Sequence, residues 1–307
     1  LYPEDTWAVT NLDKVDVAQN YHEWLTDELA AATVNRMIEG DDATYAVASQ
    51  PTRVGNYVQK STKTFIISGE TEAVVKAGRR SEIARIGMKS MVELKRDMEK
   101  ALVQNQASSA GGAATARSSG SMESWIPGPT GIGAYTTTAG NAISATTTAQ
   151  TCTTVGFASG VVTAPTDGTT TGALNSAVLD AACRLAWEKG GNPRVFLVGA
   201  TQKAAINGIT GIAQRQVQVN AASNIPILGS ASIYVNDYGT FEVVLSRYMR
   251  SSVVLILDPQ YWALGYLRRP FMEPRAKTGD AEKREIITNF TLISRNAAAS
   301  AKVVACS

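Results

Sequence analysis

A stiff helix that runs without a break into a tract of small residues limits what this chain can become. Positions 91–140 read MVELKRDMEKALVQNQASSAGGAATARSSGSMESWIPGPTGIGAYTTTAG. Ser81 followed by Glu82 is an N-cap signal, with the carboxylate placed to meet the helix dipole. Ile83, Ile86, Met91, Leu94, Met98 and Leu102 then recur near helical spacing and predict one apolar stripe. Lys89 with Glu93, Glu93 with Arg96, and Arg96 with Glu99 are spaced to pair along the opposite side. A helix over 81–106 would be roughly 37 Å long at 1.5 Å per residue, a structural strut. Beyond it, only Arg117, Glu123 and Asp167 carry charge across 107–171. A structureless loop of that length is unusual in a compact domain. Its Thr-rich patches suit strands, so this segment is expected to be ordered by packing, another subunit being one such support.

Upstream, residues 20–38 predict a helix with Trp24, Leu25, Leu29 and Ala32 on one face and a stop at Gly40. Residues 43–77 are rich in Thr, Val, Tyr, Phe and Ile, punctuated by Pro51, Gly55 and Gly69. They predict extended strands with a projecting hairpin, carrying Lys60 and Lys63 on a polar strand pair. Downstream of Gly172 the pattern is conventional. ALNSAVLDAACRLAWEKGG predicts a helix stopped at Gly190–Gly191, PRVFLVG a buried strand and ATQKAAING a short helix. SASIYVNDYGTFEVVLS predicts a hairpin around Asp237–Gly239, SVVLILDPQYWALGYLRR two strands hinged at Asp258–Pro259, and KREIITNFTLISRN a long strand. The class is mixed α+β.

Composition narrows the functions. With 44% hydrophobic and 18% charged residues, the 307-residue chain can build a core and is not globally disordered. A formal net charge of +2, with basic and acidic residues interleaved, argues against a dedicated nucleic-acid binder. Cys152, Cys183 and Cys306 are far apart and odd in number, which predicts reduced thiols and a cytosolic place of synthesis. The longest strongly apolar run, Val253–Leu257, is too short to cross a bilayer, and no membrane partner is expected. The start LYPEDTWAVTNLDK has acidic residues where a signal peptide would be basic then apolar, and the missing initiator Met implies preceding residues.

Catalytic constellations are hard to find. His22 is the single histidine; beside Glu23 and Trp24 it reads as a polar surface residue rather than a general base. Cys183 falls on the apolar side of a helix, where a thiol behaves as a small hydrophobe. GPTGIG at 128–133 lacks both the P-loop lysine and a βαβ frame, so Gly and Pro turns explain it. The Asp41–Asp42 pair and GETE lack the alternating oxygen ligands of a calcium loop. Asn289 sits in a sequon inside a strand pattern, with no secretion signal. No catalytic residue, cofactor or metal is expected. The arginines Arg79, Arg80, Arg85, Arg268 and Arg269 read either as a solvated face or as donors across an interface.

The order of these pieces resembles the SU-10-type major head proteins, a family of tailed-bacteriophage major capsid proteins. The likeness rests on LYPEDTWAVTN, HEWLTDELAAATVNRMIEGDDA, RVGNYVQKSTKTFIISGETEAV, SMVELKRDMEKAL and AWEKGGNPRVFLVG, and on LDPQYWALGYLRRPFMEPRAKTGDAEKREIITNFTLISRN. It covers both ends and most of the middle apart from 107–171. The resemblance implies the Hong Kong 97-like capsid fold. Residues 1–42 would form an N-terminal arm and helix, 43–77 an extended β-hairpin loop, and 78–171 a peripheral domain holding the spine helix. Residues 172–257 would be the axial domain and 258–307 returning strands of the peripheral domain.

By the same resemblance the chain would assemble with itself into hexamers and pentamers of an icosahedral shell enclosing double-stranded DNA. Scaffolding, portal and decoration proteins would be its other partners, and it would assemble in the bacterial host cytoplasm. The extended loop would lie against a neighbour's spine helix. Candidate inter-subunit contacts are Asn56, Gln59, Lys60, Lys63, Phe65, Glu70, Arg79, Arg80, Arg85, Glu93, Arg96, Arg268 and Arg269. Lys60 and Lys63 could invite a covalent cross-link, although exposed lysines are ordinary. Two alternatives stay open: a decoration or tail-tube protein, and a hydrolase using Cys183 or a serine with His22.

Overall fold

In the computed structural model the described residues are 5–27, 29–30, 32–40, 42, 45, 47–48, 50–74, 78, 81–126, 142–144, 156–165, 172–209 and 233–306. The chain opens with a one-turn helix α1 (Trp7–Asn11) and a strand β1 (Asp13–Asp16). Tyr21–Thr26 then forms strand β2, not the helix expected over 20–38. Its partner is β3 (Thr52–Tyr57), antiparallel, from Tyr21 opposite Tyr57 to Thr26 opposite Thr52. Helical spacing of apolar residues loses here to a run of Tyr, His, Trp and Thr that suits a pleated pair. The next strand, β4 (Gln59–Ser68), does not fold back on β3. The hairpin expected within 43–77 is therefore replaced by two strands of different sheets, β3 and β4.

A short helix α2 (Gly69–Ala73) leads to the long helix α3 (Glu82–Val103). Ser81 caps it by accepting the Ala84 N–H, as the sequence predicts. Leu94, Met98 and Leu102 of the stripe are buried, while Ile83, Ile86 and Met91 are half-buried. The small-residue tract holds α4 (Met122–Trp125), β5 (Ala142–Ser144), β6 (Phe157–Ala158) and β7 (Val161–Val162). Its described parts pack on their own chain. At Gly120 an added Cβ would stand 2.9 Å from the Val162 Cβ, so the smallest residue is what allows the close passage. Then follow α5 (Ser176–Glu188), β8 (Val195–Val198), α6 (Ala200–Gly208), β9 (Ile233–Asn236), β10 (Gly239–Leu245), β11 (Val254–Leu257), β12 (Trp262–Pro274), β13 (Ala281–Ser294) and β14 (Ala301–Val304).

Two sheets organise these elements. The first has strand order β1-β12-β13-β4, with α3 packed on β4 and β13. Exposed pairs Arg269–Asp16 at 3.0 Å and Arg295–Asp13 at 3.8 Å flank its charged edge strand β1. Such charges discourage stray edge pairing. The second sheet has order β5-β14-β11-β8-β10-β9. The C-terminal strand β14 thus joins the six-stranded sheet rather than returning with β12 and β13. A 3-10 turn over Ala297–Ala299 redirects it. Gly191 makes room for this turn, since an added Cβ would lie 2.2 Å from the Ala299 carbonyl oxygen.

The central strands β8, β11 and β14 are buried on both faces, whereas β9 and β10 expose Ile233, Val235 and Leu245. Phe196, Val198, Phe241, Val254, Ile256 and Val303 pack with Val178, Leu179, Ala182 and Cys183 of α5. Leu197, Leu255, Leu257 and Val304 share a different cluster with Met98, Leu102, Trp262, Leu264, Phe290 and Leu292. That second cluster also contains residues of the four-stranded sheet, so one apolar interior joins both sheets. Its alternating inward faces follow from the period-2 geometry of strands.

Candidate assembly surface

The β2–β3 ladder is pinned to the body at its base. Trp24 Nε1 donates to the Ser294 carbonyl at 2.9 Å, and Tyr21 Oη donates to the Gly160 carbonyl at 3.0 Å. Trp24 meets Trp125 at 5.4 Å between ring centroids, and Trp125 stacks on Phe157 at 5.6 Å. Asn56, fully buried, uses its whole amide. Nδ2 donates to Ser119 Oγ, Gly120 O and Leu292 O, while Oδ1 accepts from the Gly120 and Tyr57 N–H groups. Asn56 is therefore an internal staple between β3, the small-residue tract and β13. Its side chain is not available at the surface of the chain.

Past this base the chain changes character. Among the described residues of 27–51 none lies in a helix or strand, and all are exposed. Leu29 is 99% exposed, Tyr45 92% and Val47 97%, and Val34, Met37 and Ile38 are exposed as well. A run of large apolar side chains in water is an interaction surface without its partner. The exposed element is thus the limb that joins β2 to β3, whose described residues stand in water, in place of the hairpin expected within 43–77.

Most of the other candidates engage their own chain. Gln59 Oε1 accepts from Gln106 Nε2 at 2.6 Å, and Lys63 Nζ pairs with Asp97 of α3 at 2.7 Å. Arg96 Nε donates to Tyr248 Oη at 2.9 Å. Arg85 pairs with Glu82, and Lys89 with Glu93 at 3.8 Å, the one expected helix pair that forms as read. Arg268 donates to Asn289 Oδ1 at 3.1 Å and Arg269 binds Asp16. Phe65 is half-buried against the passage of α3 at Gly87. Lys60 and Glu70 are exposed. Arg79 and Arg80 lie outside the described residues.

Two buried carboxylates escaped the sequence reading. Glu99 does not pair with Arg96; its two oxygens accept the Ala8 and Val9 N–H groups, each at 2.9 Å. Thr6, at the N-cap of α1, makes no capping bond of its own. A five-residue helix cannot stand alone, so α3 supplies its cap. Burial pushes the Glu99 carboxyl up, against the pull of the Ala8, Val9 and Trp7 N–H groups. A folded pKa above the unfolded one means that ionisation works against the fold as pH rises through the raised value. Glu99→Gln should therefore flatten stability against pH above the ordinary carboxylate range. It should also cost about 1–3 kcal/mol for the lost acceptor. Urea titrations of both proteins across that range check this.

Glu123 on α4 is the second. It is fully buried; Oε1 accepts from Arg250 at 2.6 Å, and its backbone carbonyl accepts from the buried Lys302 Nζ at 2.8 Å. Burial raises the Glu123 pKa, while Arg250 and Lys302 oppose the rise. This knot ties α4 to the six-stranded sheet through β14.

None of these groups forms a reaction centre. Burial pushes the Cys183 and Cys306 thiols up to about 12, far from a reactive thiolate. His22 lies on β2 opposite Asn56, with its pKa lowered by burial. No cluster of three or more His, Cys, Asp or Glu side chains could hold a metal among the described residues. Nor is any described helix long and apolar enough to cross a membrane. Cys152 and the GPTGIG stretch lie outside the described residues.

The comparison that decides the family is one of sequence: the pattern of the SU10 major capsid protein family matches residues 1–307. The chain belongs to that family. No curated protein matches this SU10-family capsid protein in sequence. In fold it is similar to the capsid protein of cyanophage A-1(L), at 14% identity and TM-score 0.67, covering 100% of this chain and 94% of that one. A subunit of the native GTA particle capsid gives 9% identity and TM-score 0.65, covering 100% and 92%. Gordonia phage Cozz gives 13% and 0.55, covering 98% and 87%. The mixed α+β architecture is that of phage capsid proteins, consistent with the Hong Kong 97-like class. The SU10-family protein is a structural, non-enzymatic major capsid subunit that associates with itself in the capsid of the virion. This disposes of the hydrolase and of the decoration or tail-tube alternatives.

Proposed function

We propose that this capsid subunit forms hexamers and pentamers of an icosahedral shell around packaged double-stranded DNA, and that the limb over 27–51 of each copy lies across a neighbour. The observation that carries this reading is the exposed apolar series Leu29, Val34, Met37, Ile38, Tyr45 and Val47 on a limb whose base is rigidly held. Each such contact is modest, but a closed lattice repeats it around every ring and multiplies its effect. Residues 1–26 serve as the N-terminal arm, α3 as the spine, its packed sheet as the peripheral domain and the six-stranded sheet as the axial domain. Lys60, Glu70, Arg85, Glu93, Arg268 and Arg269 are the candidate contacts with side chains at the surface. Assembly takes place in the bacterial host cytoplasm, with scaffolding, portal and decoration proteins as further partners. Contact with DNA is weak, salt-sensitive and non-specific, as the near-neutral net charge requires. Sedimentation of the intact chain beside a variant without the limb tests the reading.

A further inference from the structure

The two sheets treat their edges differently. The outer strands of the four-stranded sheet are charged: β1 exposes Asp13, Lys14 and Asp16, and β4 carries Lys60 and Lys63. Charges on an edge keep other chains from pairing with it. The six-stranded sheet ends in β9, whose residues Ile233, Tyr234, Val235 and Asn236 carry none.

The backbone of β9 is open as well. Glu242, opposite Ile233, sends its N–H to the Arg194 carbonyl on the β8 side. The Ile233–Glu242 pair therefore shares no hydrogen bond, and in an antiparallel ladder such pairs alternate with bonded ones. Ile233 and Val235 thus turn their N–H and C=O groups away from β10, along the edge. No described strand lies beyond it. Tyr234 points toward α5, where its hydroxyl donates to Asp180, so Ile233 and Val235 point to the opposite face. There Ile233 is 56% exposed and Val235 66%, and the nearest charge, Glu242, lies one strand inward. On the α5 face Trp187 is 59% exposed, its ring 6.1 Å from that of Tyr238 in the turn after β9. Open main-chain groups flanked on both faces by exposed apolar side chains are what an added strand requires.

We infer that β9 receives an extended segment of a second copy of this chain as an added strand, so that the six-stranded sheet continues across a subunit boundary. The occupant is a second copy because the subunit associates with itself in the capsid. Main-chain bonds to Ile233 and Val235 hold the segment, and its uncharged side chains cover theirs. The contact does not depend on the limb.

Residue-resolved hydrogen exchange on the full chain, in assembled particles and in dissociated subunits, tests it. The Ile233 and Val235 amides are expected to exchange at least tenfold more slowly in particles, while that of Tyr234, bonded to β10, is slow in both. Equal exchange of Ile233 and Val235 in the two states overturns the inference. So does slowing only when a second kind of virion protein is present, which would give the edge to that protein. Two variants add an independent readout by sedimentation and electron microscopy. Val235→Lys places a charge on the edge, and Val235→Pro removes the outward N–H without taking a bond from the β9–β10 ladder. Each should lower the yield of shells or rings at least tenfold with thermal melting still cooperative. A folded variant of either kind that assembles like the parent overturns the inference. The exchange measurement needs no substitution, so it decides even where a variant fails to fold. Loss of assembly on deleting the limb, beside normal assembly of these variants, would remove the edge contact and leave the limb reading standing.

Discussion

Replacing residues 29–50 with a short Gly-Ser turn yields a folded protein that no longer closes into shells. The fold should survive because the β2–β3 ladder holds itself through Trp24, Tyr21 and Asn56, all at its base. The limb's described side chains are exposed, so their removal deletes little interior packing. Assembly should fail because burying each large aliphatic side chain is worth roughly 1.5–3 kcal/mol. Leu29, Val34, Met37 and Ile38 would lose that at every contact of a ring. The expected sedimentation profile is a slow species with unchanged thermal unfolding, replacing the fast particles of the parent. Particles of normal size from the deleted chain would show that the limb is dispensable. Removing 52–68 would be a poorer test, since β3 and β4 belong to the folded body.

Glu123→Ala is the substitution with the largest expected effect on stability. It removes the carboxylate that faces Arg250 and leaves a guanidinium and the Lys302 ammonium near one another in the interior. Breaking a buried pair by deleting one partner typically costs about 3–5 kcal/mol. The lower end applies because the Arg250 side chain is still 21% exposed. Lys302→Met removes the extra cation and leaves the Glu123–Arg250 pair intact, so it should cost clearly less. Chemical denaturation of the two variants gives the ordering. If Lys302→Met proves as damaging as Glu123→Ala, charge balance is not what holds this knot.

The helix α3 was legible because its cap and its stripe depend on residues within four positions of one another. The strands from β8 to β13 were legible for a similar reason: alternation and Gly, Asp or Pro punctuation are local signals. The reading of 20–38 as a helix failed on a hidden assumption. Trp24, Leu25, Leu29 and Ala32 have helical spacing, but an amphipathic stripe implies a helix only if the chain supplies a core for it. Here Trp24 packs on Trp125 beside a strand ladder, while Leu29 faces solvent.

Long-range partners were equally invisible. Glu99 at a three-residue step from Arg96 looks like half of a surface pair, and only the arrival of α1, some ninety residues away, makes it a buried cap. Asn56, a candidate inter-subunit contact by resemblance, instead bonds Leu292 and Gly120, far from it in sequence. The destination of β14 depends on the turn over Ala297–Ala299, which an Ala-rich stretch does not announce. For the candidate surface, composition exposed the limb's apolar and acidic residues, but not that they project unsupported.

Negative-stain electron microscopy of the purified intact chain, read beside its sedimentation profile, tests the central claim most directly. Closed shells, or rings of six and five subunits, are predicted. A stable monomer, both alone and after coexpression with a scaffolding protein, would contradict it.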